Sequence, residues 1–217
     1  MFGFVDYIRN NPDQYVAYLT RHLYLVGSAV LLATVIGIPL AVLATRVRWL
    51  AAPLTWLANF GQTIPSLALL ALTLPVLGIG VPASIVALTV SAILPIFLNT
   101  YVGIRGLLPQ TVDAARGMGA SNMQQLFLID LPLASPVIWN GLQTAAVQTV
   151  AAAALAAFIG GGGLGELIVR GLTRVIFDSS VLLAGAVTVA ALALLVDLVM
   201  RWLRRFVVPK GLQIGRH

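Results

Sequence analysis

Between residues 49 and 104 the chain carries no charged side chain. A helix of roughly 20 apolar residues suffices to cross the ~30 Å hydrocarbon core of a bilayer, so a run of this length has to cross twice. Its break falls at LGIGVPAS, where Gly78, Gly80 and Pro82 interrupt the apolar stretch. That division predicts spans over residues 53–77 and 83–104. Residues 23–45, 133–159 and 181–202 have the same character, which gives about five transmembrane helices and places the termini on opposite sides. Composition agrees: of 217 residues, 59% are hydrophobic and only 9% charged, against about 25% charged in soluble domains. The expected fold class is an all-α polytopic membrane protein.

The 13 Lys and Arg exceed the 7 Asp and Glu, yet they lie scattered between long uncharged runs, unlike the basic patch of a nucleic-acid-binding protein. They read as topology signals. If the first loop is cytoplasmic, that side holds Arg46, Arg48, Arg105, Arg116, Arg201, Arg204, Arg205, Lys210 and Arg216, and the other holds Arg9, Arg21, Arg170 and Arg174. The positive-inside rule then puts the N-terminus outside and the C-terminus in the cytoplasm of a multi-pass protein. The chain divides into an external segment (1–22), a transmembrane domain (23–203) carrying a cytoplasmic loop (105–132), and a basic tail (204–217).

The external segment lacks the apolar core and small-residue cleavage site of a signal peptide and is expected to be retained. Within it, Asn11-Pro12-Asp13-Gln14 reads as a capped helix start, with Asn11 as N-cap, Pro12 in the first turn and Gln14 as the reciprocal acceptor. Tyr15, Tyr18 and Tyr24 would then lie at headgroup level, in an interfacial lead-in to the first span.

The polar strip DAARGMGASNMQQLFLIDLP, residues 113–132, stands out in so apolar a chain. Residues 109–116 suffice for two helical turns, which Gly117 and Gly119 would stop. Ser121 with Gln124 three residues on has capping-box spacing, and Met123, Leu126 and Phe127 follow at helical period before Pro132 opens the fourth span. Two short helices with an exposed apolar stripe fit either a docking element or a membrane-hugging connector.

The spacing of Asp113-Ala114-Ala115, Gly119, Ile129 and Leu131-Pro132 resembles the EAA loop of binding-protein-dependent ABC importer permeases, with Asp in place of the usual Glu. The resemblance implies a type I importer permease fold in which this loop forms coupling helices seated on a cytoplasmic ATPase. Ala114 and Ala115 would pack on that subunit, Asp113 would pair or hydrogen-bond with it, and Gly119 would turn the chain. Ile129, Leu131 and Pro132 would anchor the loop to the fourth span. FGQTIPSLALLAL, LPIFLNTYVGI and AALAAFIGGGGLGELI further resemble the osmoprotectant branch, permeases for glycine betaine, carnitine or choline, while a methionine importer permease is similar in size and span number. The implied partners are two ATP-binding subunits, which bind the ATP and magnesium, a second permease copy (identical or homologous), an external substrate-binding protein and the lipid bilayer, and the implied location is the bacterial or archaeal plasma (inner) membrane. No cofactor is expected in this chain itself.

Polar residues within spans mark candidate positions on a translocation path, because lipid penalises them. They are Gln62, Thr63, Ser66, Asn99, Gln143 and Gln148, with Pro65 expected to open its helix locally; each either lines the path or bonds between helices. Asp197, four residues before Arg201, reads as an ion-paired anchor. The glycines Gly160, Gly161, Gly162, Gly163 and Gly165 lack the Lys-Ser/Thr pair of a phosphate-binding loop, which leaves an external gate or a structural turn. Enzyme chemistry finds no nucleophile with a base: the histidines are His22 and His217, and no G-x-S-x-G occurs. A passive channel is the remaining rival, and a channel has no use for a coupling loop.

Overall fold

A computed structural model describes residues 3–173, 179–209 and 211. Every regular element among them is helical: α1 (Gly3–Asn10), α2 (Pro12–Arg46), α3 (Arg48–Gly61), α4 (Ser66–Leu77), α5 (Val81–Arg105), α6 (Pro109–Gly117), α7 (Asn122–Gln125), a π-helical turn (Leu126–Asp130), α8 (Leu131–Leu155), a 3-10 turn (Ala156–Ile159), α9 (Gly165–Thr173) and α10 (Ser179–Val207). Four helical stretches are long and apolar enough to span a bilayer, and α3 with α4 forms a further candidate bent by 106°.

The bilayer provides no hydrophobic drive for helices to associate, so close approach of backbones has to supply the packing. The sequence provides small residues at four-residue intervals along α2, where Ala29, Ala33, Gly37 and Ala41 are all buried. This stripe lies against α5, where a Cβ on Gly37 would come within 3.2 Å of Ile96. On its other side α5 packs along α8, and there Gly141 admits Asn99 and the carbonyl of Pro95 at distances no side chain would permit. Helix α5 is thus the central post, with α2 and α8 on either side and α10 closing against α8 and α9.

Contacts at the helix ends fix the direction of each crossing. The last residue of α2, Arg46, meets Asp130 just before α8, and Trp139 near the start of α8 donates to the carbonyl of Met200 late in α10 (2.9 Å). These ends, with the segment between α5 and α8, form one pole of the molecule. At the other pole, Gly80 before α5 donates to Ile159 after α8 (2.8 Å), and Gly3 abuts Ser180 at the start of α10. The bent α3–α4 pair therefore returns the chain from the first pole to the second and completes five crossings, with the start and end of the described chain at opposite poles.

Several expectations need correction. The second span departs further from a plain helix than the local opening expected at Pro65: α3 and α4, of 14 and 12 residues, reach only about 21 and 18 Å at 1.5 Å per residue, and the turn at Gln62–Pro65 separates them. The lead-in does run into the first span, the two forming a single helix of 35 residues. Asn11 precedes Pro12 as foreseen but makes no side-chain cap. Its amide donates to the carbonyl of Tyr7 (3.0 Å), while the Tyr7 hydroxyl donates to Gln14 (3.2 Å); α1 diverts both partners of the expected capping box. Pro132 stands in the first turn of α8 as expected, but no break precedes it, because helix runs continuously from Asn122 to Ile159. Proline removes one N–H and crowds the carbonyl four residues back, and the wider π turn before it relieves that crowding, with Leu131 donating to Leu126 five residues earlier. Of the charges used for topology, Arg174, Lys210 and Arg216 lie outside the described residues, as do residues 212–217 of the tail.

Candidate functional site

The segment after α5 projects at the first pole as two short helical pieces. Helix α6 ends in a Schellman arrangement: Gly119 (φ +82°) donates to Arg116, and Ala120 donates to Ala115 across it. Gly117 remains inside the helix. Two residues beyond the turn, Ser121 caps α7 with both halves of the expected capping box in place: its hydroxyl accepts from the Gln124 amide (3.3 Å) and its own amide donates to Gln124 Oε1 (2.8 Å).

Most of this element is uncovered by the other described residues. Met118, Met123, Phe127 and Leu128 are more than half exposed, and Asp113 and Ala114 are exposed as well. The two alanines differ, since Ala115 is 1% exposed and turned into the chain. A groove of about 900 Å³ lies beside them, bounded by Ala114, Ala115, Met118, Ile129 and Pro132 on one side and Pro209 on another. Ile129, Leu131 and Pro132 are partly buried, and Leu131 packs on the cluster of Ile104, Ala134 and Ile138, joined by Val42 of α2. The loop is therefore anchored to three long helices.

Beneath the element lies a polar network that the sequence reading assigned no role. Asp130, 2% exposed, accepts from Arg46 Nη2 at 2.7 Å and from the Gln125 side-chain amide at 3.3 Å. Gln125, also buried, in turn accepts from Arg116 Nε at 3.3 Å. An unpaired carboxylate buried this deeply costs several kcal/mol, which is why Arg46 is held here. Arg46 entered the sequence reading only as a topology charge and Asp130 only as a spacer in the loop motif. A carboxylate inside the apolar run LFLIDLP was the available signal, because such a charge requires a partner.

The path candidates separate into two groups. Gln62, Ser66 and Gln148 come together around a groove of about 410 Å³ with Ser91. Gln148 also borders a second groove of about 480 Å³, shared with Asn140, Gln143, Thr144, Asp197 and Arg201. Asn140, Thr144, Gln148 and Ala151 recur at three- or four-residue intervals on an exposed face of α8, so the two grooves form one polar stripe. Asp197 pairs with Arg201 at 2.7 Å as expected and also accepts from the Gln143 side chain. Asn99 stands apart: it packs against Gly141 and bonds to Pro95 of its own helix (2.9 Å). Thr63 bonds to Phe60 (2.7 Å), and Pro65 lies in the turn between α3 and α4.

The glycine segment at the opposite pole is closely packed. Gly160, Gly162 and Gly163 have positive φ. A Cβ on Gly161 would collide with Ser84, and one on Gly165 with the Ala154 carbonyl. Arg21 donates to the Gly161 carbonyl (3.4 Å), while the buried His22, which abuts Gly163, bonds through Nε2 to the Val150 carbonyl (3.1 Å).

These features are those of the membrane subunit of a solute transporter: several crossings around an exposed polar stripe, with an ordered projecting element at one pole. The chain belongs to the family of binding-protein-dependent transport system inner membrane components, whose model matches residues 33–209. It is 38% identical over 209 residues to the glycine betaine/carnitine/choline transport system permease protein OpuCB of Bacillus subtilis, covering 96% of this chain and 95% of that one. It is 39% identical over 215 residues to the osmoprotectant import permease protein OsmW of Salmonella typhimurium, covering 96% and 99%. Among solved structures, an inward-facing form of the MetNI methionine ABC transporter aligns with a TM-score of 0.81 at 25% identity, covering 92% of this chain and 99% of that one. The all-helical ABC importer permease fold is thereby established.

Proposed function

We propose that this chain is the permease of an ABC importer that takes up an osmoprotectant such as glycine betaine, carnitine or choline. A separate ATPase, two copies per importer, docks at the element formed by α6 and α7 and supplies the ATP and magnesium; a second permease copy completes the pore, and a substrate-binding protein delivers solute at the opposite pole. The N-terminus faces outward and the docking element the cytoplasm, in line with the distribution of Arg and Lys.

The observation that carries the coupling role is the docking element itself. Its turn is fixed by Gly119 and its second helix by the Ser121 cap, while Ala114, Met118, Met123 and Phe127 remain exposed among the described residues. A rigid projection with an apolar face is suited to transmit displacement to the helices that anchor it. The substrate class rests on near full-length relatives whose names specify glycine betaine, carnitine and choline. The stripe of Gln62, Ser66, Asn140, Thr144 and Gln148 offers neutral hydrogen-bonding groups along the path, and the packed glycines with α9 form the surface on which the binding protein acts.

Competition tests the substrate class. In proteoliposomes holding this chain, its ATPase and its binding protein, choline and carnitine should suppress uptake of labelled glycine betaine. Suppression by methionine alone would keep the permease and move the substrate.

A further inference from the structure

We propose that the Arg46–Asp130 ion pair, braced by Gln125 and Arg116, is the joint through which the coupling element moves the corner between α2 and α3. The inference rests on the coupling role proposed above and names the residues that execute it. Neither Arg46 nor Asp130 is a contact for solute or ATPase in this account; both are positioning residues.

The hydrogen bonds form a continuous chain from Arg116 of α6 through Gln125 of α7 to Asp130 at the end of the π turn, and from there to Arg46. Arg46 is the last residue of α2, Val47 is extended (φ −109°, ψ 96°), and Arg48 begins α3. The pair thus grips the chain where it reverses. Helix α3 leads from that corner to the turn at Gln62–Pro65, and Gln62 together with Ser66, the first residue of α4, borders the polar groove.

Two physical features suit this arrangement to transmission. Separation of the pair would leave a carboxylate that is 2% exposed without its cation, so the two sides are bound to move together. The π turn that carries Asp130 interrupts the α-helical hydrogen-bond pattern, with Leu131 donating to Leu126 five residues earlier, and π turns inserted in helices frequently mark functional sites. The apolar contact of Leu131 near Val42 holds α8 to α2 without defining direction. The 2.7 Å ion pair adds the directional link.

The test uses the full complex of this chain, its ATPase and its binding protein in proteoliposomes, with three readouts: ATPase retained on purification, ATP hydrolysis, and solute imported per ATP hydrolysed. Asp130→Asn preserves shape and removes the charge. It should retain the ATPase and hydrolyse ATP while importing about ten-fold less solute per ATP. Asp130→Glu should recover most of that loss. Arg46→Gln, which keeps a hydrogen-bond donor beside Asp130 but removes the cation, should match Asp130→Asn in solute imported per ATP, and the double variant should be no worse than either single one.

Wild-type import per ATP in both single variants would overturn the proposal, as would loss of ATPase binding by Asp130→Asn, which would make the pair a support of the docking face only. Failure of the coupling reading itself looks different: a wild-type complex without ATP-dependent uptake, or normal coupling in a Gly119→Val variant, refutes that reading whatever Asp130 does.

Discussion

Ala120 donates its backbone N–H to the carbonyl of Ala115 at 3.1 Å, reaching back across Gly119, whose φ is +82°. This bond terminates α6 and sets the direction in which α7 departs. Open space surrounds Gly119, with nothing within 4 Å of a Cβ placed there. Only the backbone conformation therefore demands glycine, and a β-branched residue would oppose it by about 1–3 kcal/mol. Gly119→Val should insert into the membrane at wild-type levels yet fail to retain the ATPase on purification. Normal retention together with normal transport would count against the docking role.

The neighbouring alanines should respond differently to substitution. Ala114 is exposed, so Ala114→Arg should leave thermal stability within about 0.5 kcal/mol of wild type while abolishing ATPase binding. Ala115 is buried at 1% exposure, and Ala115→Leu should lower the melting temperature, because overpacking there costs about 1–3 kcal/mol of stability. Equal melting temperatures for the two variants would show that the inward orientation of Ala115 is wrong.

The sequence contains no cysteine, so single thiols can be introduced without background. Cysteines at Asn140, Thr144 and Gln148 should react with a charged, membrane-impermeant thiol reagent applied to the assembled importer in detergent. Cysteines at Ala145 and Thr149, on the buried face of α8, should be at least about ten-fold slower, in keeping with the dependence of thiol chemistry on access. Uniform reactivity along α8 would remove the stripe from the path.

Helix packing in the membrane yields a further prediction. A Cβ on Gly141 would lie 2.7 Å from the Asn99 Cβ and 2.9 Å from the Pro95 carbonyl, so even Gly141→Ala has to push α5 and α8 apart. The expected cost is about 1–3 kcal/mol, read as a lower melting temperature in detergent. Gly117→Ala, with open space around it, is the matched control and should leave the melting temperature unchanged.

What the sequence revealed follows the range of the forces involved. Long apolar runs specify membrane helices, and the Ser121–Gln124 cap forms because both partners lie within one turn. The same pattern at Asn11 and Gln14 does not form a cap, since Tyr7 on α1 competes for both side chains, a contact no local pattern encodes. The break at Gln62–Pro65 was visible as a proline, but the 106° bend depends on how α4 packs against α5 and α8. Arg46 and Asp130 are 84 positions apart, and only the return of the chain through α3, α4 and α5 brings them together. Of the path candidates, Gln62, Ser66, Gln143 and Gln148 border the polar stripe, whereas Asn99 serves a helix crossing that the sequence could not reveal without knowledge of its neighbour, Gly141.

The most direct test of the central claim is the uptake of labelled glycine betaine into proteoliposomes containing this chain, its ATPase and its binding protein, measured with and without ATP on the ATPase side. The account predicts accumulation against a gradient that requires both ATP and the binding protein and disappears in the Gly119→Val complex. Equal flux with and without ATP would contradict it and return the chain to the class of passive channels.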